Sequence, residues 1–181
     1  LFNIESLSKK NTYTVTTGHQ LCLFTGPLYF LYKIISTINL SEKLSKEFNE
    51  YNFVPVFWMA SEDHDFNEIN NVTINGSKFL WESDQQGPVG KFNTKGILNI
   101  IENISSIIGN TVNNTSIINL LKKCYSNNNF SEAARHLINE LFGKFGLVIL
   151  DANDVNLKQK LLPIMKEDLV FQSLSPIIKD N

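Results

Sequence analysis

Apolar residues fall along this chain in two kinds of run. Residues 13–16, 53–59 and 147–151 are short, continuous and rich in β-branched or aromatic side chains, which predicts buried strands. Between them apolar positions recur every three or four residues. Leu28, Leu31, Ile34, Ile35, Ile38 and Leu44 make one stripe of a helix reaching about Phe48. Residues 97–108 and 116–125 predict two more amphipathic helices, with asparagine-rich stretches around Asn113 and Asn127 as their loops. Ala133, Leu137, Leu141 and Phe142 form the apolar face of a further helix. Residues 72–74 and 78–81 alternate instead, and Asn75-Gly76 lies between them. That pair favours a two-residue hairpin turn, so a small β insertion is expected within 70–92.

Turn and cap residues sharpen the boundaries. Strand 13–16 runs towards Gly18 and a loop, and Gly26-Pro27 suits a helix start, glycine as the cap and proline at the first helical position. Asn129 with Glu132 three residues later resembles a capping box, and Gly143 and Gly146 end the helix it opens. A last helix from about Val155 should be broken or restarted by Pro163. Strands alternating with helices predict an α/β fold with a parallel sheet, whose ligands bind beyond the strands' carboxyl ends. Gly18, His19 and Gln20, residues 61–65, and Asp151 would all share that edge.

Composition narrows the partners. The chain has 181 residues, 43% hydrophobic and 19% charged, with a net charge of -2. That length supports one packed domain. No basic patch or run suits nucleic acid or a membrane surface, and no apolar run approaches a membrane span. No signal peptide opens the chain, so a cytoplasmic location is expected. Cys22 and Cys124 lie far apart and read as reduced, Cys22 as a packing residue. The chain begins with Leu1 and stops soon after Ile178, which reads as part of a longer protein.

Two clusters could carry chemistry. In Thr17-Gly18-His19-Gln20-Leu21-Cys22-Leu23-Phe24-Thr25-Gly26, two glycines bracket a loop delivering a helix N-terminus to the sheet edge. Free backbone N–H groups and the helix dipole there suit a phosphate or carboxylate, with Thr17, Thr25, His19 and Gln20 as further binding groups. The plainer alternative is a strand-to-helix turn whose glycines serve geometry alone. The second cluster, Ser61-Glu62-Asp63-His64-Asp65, follows a buried strand. His64 could act as a general base oriented by Asp63 or Asp65, with Ser61 and Glu62 binding substrate. A divalent metal site is one alternative, although consecutive side chains point to opposite faces; a solvated acidic loop is another. Asp151 could equally cap the helix after it, and His136 reads as structural.

With residues 17–29, Tyr32-Lys33-Ile34-Ile35, residues 54–66, and the looser stretches Arg135-His136-Leu137, Leu141-Phe142 and 146–151 in view, the chain resembles the family of bacillithiol biosynthesis cysteine-adding enzymes, BshC. The resemblance implies a Rossmann-like core domain, of which residues 1–181 would be an incomplete part, with the C-terminal coiled coil used for homodimerisation absent. It implies a ligase joining L-cysteine to the amine of glucosaminyl-malate, with ATP or another nucleotide as the activating cofactor and no metal. Some members carry Gln at the position of His19, which makes His64 the better base. Two other classes share these residues: a nucleotidylyltransferase or metal-dependent phosphohydrolase, and a nucleotide- or metabolite-binding module without activity of its own.

Overall fold

The computed structural model describes residues 2–126, 129–172 and 174–179. A short helix α1 (Phe2–Ser6) precedes strand β1 (Thr12–Gln20), a 3-10 turn (Leu23–Thr25) and helix α2 (Leu28–Glu47). Strand β2 (Asn52–Ala60) follows, then the single turn α3 (Phe66–Ile69) and a hairpin of β3 (Asn71–Ile74) and β4 (Ser77–Leu80). A second 3-10 turn (Val89–Lys91) leads to α4 (Ile97–Ile108), α5 (Val112–Tyr125) and α6 (Phe130–Phe142). A third (Gly143–Phe145) leads to β5 (Val148–Asp151), α7 (Val155–Phe171) and α8 (Leu174–Lys179).

The three long-range strands form one parallel sheet in the order β1-β2-β5. β1 and β2 pair in register from Thr12 with Asn52 to Gln20 with Ala60. β5 pairs with the last part of β2, from Val56 with Val148 to Met59 with Asp151. All three strands therefore end level, as the α/β reading expected. β1-α2-β2 is a single crossover unit, and a much longer crossover holding the hairpin and α4 to α6 returns the chain to β5. The hairpin forms as expected, Asn75 and Gly76 both at positive φ (50° and 79°).

α2 starts at Leu28, with Pro27 as its cap, one residue later than the proline pattern suggested. Its buried face keeps part of the expected stripe, with Ile34 and Ile38 buried and Leu31 packed against the core, but differs in the rest. Phe30, Ile34, Thr37, Ile38 and Ser41 are buried, while Leu28 and Ile35 are exposed. Thr37 donates to its own helix at Lys33 O (2.9 Å) and Ser41 to Phe53 O of β2 (2.6 Å). Because both hydroxyls are bonded, these two small residues are buried without an unsatisfied polar group.

Three other expectations need correction. β1 does not give way to a loop at Gly18; it continues to Gln20, with Gly18 opposite Trp58. A Cβ at Gly18 would lie 3.3 Å from Trp58 O and 3.4 Å from its Cβ, so glycine here makes room beside an indole within the sheet. α5 begins at Val112 because Thr111 caps it, accepting from Asn114 N (3.2 Å); its first turn is polar and invisible to periodicity. α7 runs unbroken through Pro163. Every residue from Val155 to Lys166 is exposed, so the Gln159 carbonyl that Pro163 leaves without a donor meets water. The expected loop around Asn127 lies outside the described residues.

One apolar cluster joins these parts. It links Phe30, Ile34 and Ile38 of α2 and Phe57 and Met59 of β2 to Ile97, Ile101 and Ile104 of α4 and Ala133, Leu137 and Ile138 of α6. Trp81 anchors the hairpin into it, its ring 5.0 Å from both Phe66 and Phe130 and its indole N–H bonded to Lys95 O (3.1 Å). Among the described residues no helix is long and apolar enough to cross a membrane.

Candidate functional site

The carboxyl ends of β1, β2 and β5 bring His19 and Gln20, the turn 61–65, and residues 151–153 onto one edge. That is where a parallel sheet exposes a crevice for ligands. Three arrangements share it.

The first surrounds Asp63. The Gln20 amide Nε2 donates to Asp63 Oδ2 (2.6 Å) and to Glu68 Oε2 (3.1 Å). Asp63 Oδ1 accepts from the backbone N–H groups of His64 (2.6 Å) and Asp65 (3.0 Å). The hydrogen bond from Gln20, followed by that from Asp65, holds the Asp63 carboxyl below the usual aspartate range. It is a stable anion that shapes the turn. Its oxygens serve Gln20 and the backbone, and the exposed His64 imidazole makes no hydrogen bond among the described residues. Asp65 is exposed at the start of α3 and makes no side-chain cap bond. Asp63, His64 and Asp65 do not converge: among the described residues no group of three or more His, Cys, Asp or Glu side chains is placed to hold a metal ion.

The second arrangement surrounds Ser61, which is fully buried. Its hydroxyl donates to Asp151 Oδ1 and accepts from Asn153 N (3.2 Å), while Asp151 Oδ1 also accepts from Asn153 N (2.9 Å). This ties the ends of β2 and β5 together. The cap of α7 is Asp154, which accepts from Leu157 N (2.9 Å), so Asp151 does not cap that helix. Above Ser61 the segment after the hairpin closes down: Gly90 N donates to Ser61 O (3.0 Å) and Val89 N to Asp63 O (2.8 Å). A Cβ at Gly90 would lie 2.7 Å from the Ser61 Cβ and carbonyl oxygen. Between the two arrangements sits Glu62, whose Oε2 is buried with no hydrogen-bond partner.

The third is the turn between β1 and α2. Phe24 (φ 51°), Thr25 (φ 71°) and Gly26 (φ 53°) are consecutive left-handed residues, an arrangement costly for Phe and more so for β-branched Thr. His19 lies against α2's first turn, its ring 5.2 Å from Phe30 and 6.2 Å from Tyr29, with Nδ1 3.7 Å from Cys22 Sγ. Burial pushes the Cys22 thiol up to about 11, which keeps it an inert packing group. The amides of Leu28 and Tyr29 at the start of α2 have no acceptor among the described residues, whereas Phe30 N reaches Pro27 O (2.9 Å). Thr17 opens onto a neighbouring groove of about 320 Å³ shared with Tyr29, Tyr32, Lys33 and Ser36.

Of the candidate residues, Gln20 and Asp63 are in contact, Ser61 joins Asp151, and His19 meets α2's first turn. Gly26 packs against Cys22, since a Cβ there would lie 2.4 Å from the Cys22 Cβ. Sequence reasoning missed Glu68, Gly90, Lys33, whose ammonium donates to Gly18 O, and Tyr125, whose hydroxyl accepts from Phe24 N (3.3 Å). Gly87-Pro88, a turn-favouring pair, precedes the strap that carries Gly90. A larger hollow of about 640 Å³ lies beside the start of α4, between Lys91, Lys95 and Asn129. It holds none of the edge carboxylates, so the chemistry favours the sheet edge.

Residues 1–179 match the family model described as bacillithiol biosynthesis BshC, N-terminal Rossmann-like domain. The chain is similar to a Flavobacterium johnsoniae protein named "Putative cysteine ligase BshC", 49% identical over 99% of the chain and 34% of that relative. It is similar to relatives of the same name from Christiangramia forsetii (49% identical; 94% of the chain, 33% of the relative) and Staphylococcus carnosus (32%; 92% and 33%). The chain thus spans about a third of the length of the curated relatives it matches.

Proposed function

The chain belongs to the family of bacillithiol biosynthesis BshC proteins, in its N-terminal Rossmann-like domain, and from that premise we propose that it forms part of a ligase adding L-cysteine to glucosaminyl-malate to give bacillithiol. The whole enzyme would be a cytoplasmic homodimer held by the coiled coil that the family resemblance implies, with residues 1–181 in its core domain.

The observation that carries this reading is on the sheet edge. A buried carboxylate oxygen without a partner, Oε2 of Glu62, stands two residues from a solvent-open imidazole, His64. An orphaned buried acceptor is costly, and a substrate ammonium or amine supplies the missing donor. His64 then takes the proton that the attacking glucosaminyl nitrogen loses as its bond to the cysteine carbonyl carbon forms and the bond from that carbon to the activated leaving oxygen breaks. Asp63 fixes the backbone from which His64 projects, and Gln20, whose amide also donates to Glu68, holds Asp63. Ser61, whose hydroxyl is committed to Asp151 and to the Asn153 amide, sets the spacing of the strand ends instead of touching substrate.

Amide formation from a free carboxylate needs activation, and a nucleoside triphosphate would supply it when bound, by giving the cysteine carboxyl a phosphate or nucleotide leaving group. The unpartnered amides of Leu28 and Tyr29 fit one anionic group, a carboxylate or a single phosphate. They do not form a glycine-lined polyphosphate cradle, because the space that Gly26 leaves is filled by Cys22.

The test replaces His64 by Ala in the full-length protein and measures bacillithiol formed from cysteine, glucosaminyl-malate and ATP. A loss of about a hundredfold or more is expected for removal of a general base; near-normal turnover removes His64 from the mechanism. No bacillithiol from the unsubstituted protein overturns the ligase assignment itself.

A further inference from the structure

The turn between β1 and α2 is held from an unexpected direction. Its left-handed Phe24 and Thr25 are backbone conformations that persist only when their surroundings over-determine them. The acceptor offered to the Phe24 amide is the phenol oxygen of Tyr125 (3.3 Å), the last residue of α5, 101 positions away in sequence. The two rings also meet edge to face, with centroids 5.1 Å apart. Tyr125 is itself fixed: it is 1% exposed, its ring lies 6.3 Å from that of Phe130, and its carbonyl accepts from the Thr94 hydroxyl (3.0 Å). Tyr125 and Thr25 line the same small apolar gap with Cys22, Phe30 and Leu137. A part-buried amide with one acceptor, in a strained turn, leans on that acceptor.

We propose that Tyr125 is a positioning residue: through the Phe24 amide it holds the 22–26 turn so that the Leu28 and Tyr29 amides at the start of α2 present to an anionic ligand. This rests on the reading of that helix start as the anion-holding part of the site. The Tyr125 hydroxyl touches no ligand and exchanges no proton. Its donated hydrogen is not what the turn uses; its oxygen lone pair is.

Tyr125→Phe in the full-length protein keeps the ring and removes the oxygen. Amide hydrogen exchange at Phe24, Thr25 and Gly26 should accelerate by roughly fivefold to a hundredfold, the range that follows from one part-buried amide losing its partner. Inorganic phosphate should protect the Leu28 and Tyr29 amides of the unsubstituted protein and not those of the variant. Ile118→Val, a packing change on the same helix, should leave both readouts unmoved, which separates positioning from general loosening of α5. Unchanged exchange in the turn of Tyr125→Phe overturns the proposal, as does phosphate protection retained by the variant or absent from the unsubstituted protein. Should Tyr125→Phe fail to fold, the unsubstituted protein still decides: its Phe24 amide must exchange as slowly as that of Leu121 in α5, and faster exchange overturns the tie. A protein that shows the protection pattern but makes no bacillithiol refutes the ligase reading and leaves Tyr125 in place.

Discussion

Two turns follow neighbouring strands at the carboxyl edge of the sheet, and they are stabilised by opposite means. The 22–26 turn is apolar and conformationally strained. It is held by packing from outside: Cys22 against Gly26, Tyr125 against Phe24, and the α6 side chains Ala134, Leu137 and Ile138 around the same gap. The 61–65 turn is polar and held by hydrogen bonds from within the edge, Asp63 to two backbone amides and Ser61 to Asp151. The contrast separates their tasks. A turn fixed by packing can present backbone N–H groups rigidly. A turn fixed by its own carboxylate keeps neighbouring side chains, His64 and Glu62, uncommitted.

The largest test of that contrast is Gly26→Ala. The added Cβ would meet the Cys22 Cβ at 2.4 Å on a backbone with φ of 53°. Overpacking and backbone strain together should destabilise the protein by roughly 2–5 kcal/mol, read from the denaturant midpoint. A loss below about 0.5 kcal/mol, the size of an ordinary surface change, would mean that the turn yields and is not held by packing.

Ser61→Ala probes the polar turn. It removes a buried hydroxyl that donates to a carboxylate and accepts from Asn153 N, a loss of about 1.5–3 kcal/mol. Asp151 Oδ1 retains the Asn153 amide, which keeps the effect below that of Gly26→Ala. A thermal unfolding curve identical to that of the unsubstituted protein would show that the strand ends do not depend on this node.

Glu62→Met should act in the opposite direction. Oε2 of Glu62 is buried and unpartnered, so replacing the carboxylate by an apolar side chain of similar length should raise stability by about 1 kcal/mol while abolishing binding of the amine substrate. A destabilised variant that still binds it would make Glu62 structural, and the trade between stability and binding would vanish.

The same contrast explains what was legible in the sequence. The strands 53–59 and 147–151, the Asn75-Gly76 hairpin and the α4 span follow from periodicity and turn chemistry, which are local. The Asn129 cap is local too, and it accepts from Glu132 N (2.9 Å) as its spacing suggested. The polar turn was found because acidic residues crowd one short segment after a buried strand. The packed turn was found but misread, because Gly18 looked like the start of a loop when its purpose is contact with Trp58. Its real support, Tyr125, sits at the end of an amphipathic helix where an aromatic residue looks like core. Contacts 48 residues apart, such as Gln20 with Glu68, or 101 apart, such as Phe24 with Tyr125, leave no periodic trace. Part of α2's face was misjudged by the same route: hydrophobicity found Ile34 and Ile38 but ranked Ile35 above Thr37 and Ser41, whose bonded hydroxyls allow their burial.

The smallest expected effect is the most specific. The Asp63 carboxyl is held below the usual aspartate range, first by the Gln20 amide and then by the Asp65 and His64 backbone N–H groups. A carboxyl whose folded value is depressed stabilises the fold above its unfolded value, near 3.9 for aspartate. That contribution fades as pH falls from there through the depressed folded value and is gone below it. Solvent reaches this carboxylate and screens the interaction, so the stability at stake is a few tenths of a kcal/mol. The carbon-detected titration of the Asp63 carboxyl is therefore the better measurement: its midpoint should lie below that of an unperturbed aspartate, and Gln20→Leu should move it upward while leaving the two backbone bonds to hold part of the depression. If Gln20→Leu leaves the midpoint where it was, the backbone alone sets the charge of the turn, and Gln20 is released to bind substrate directly.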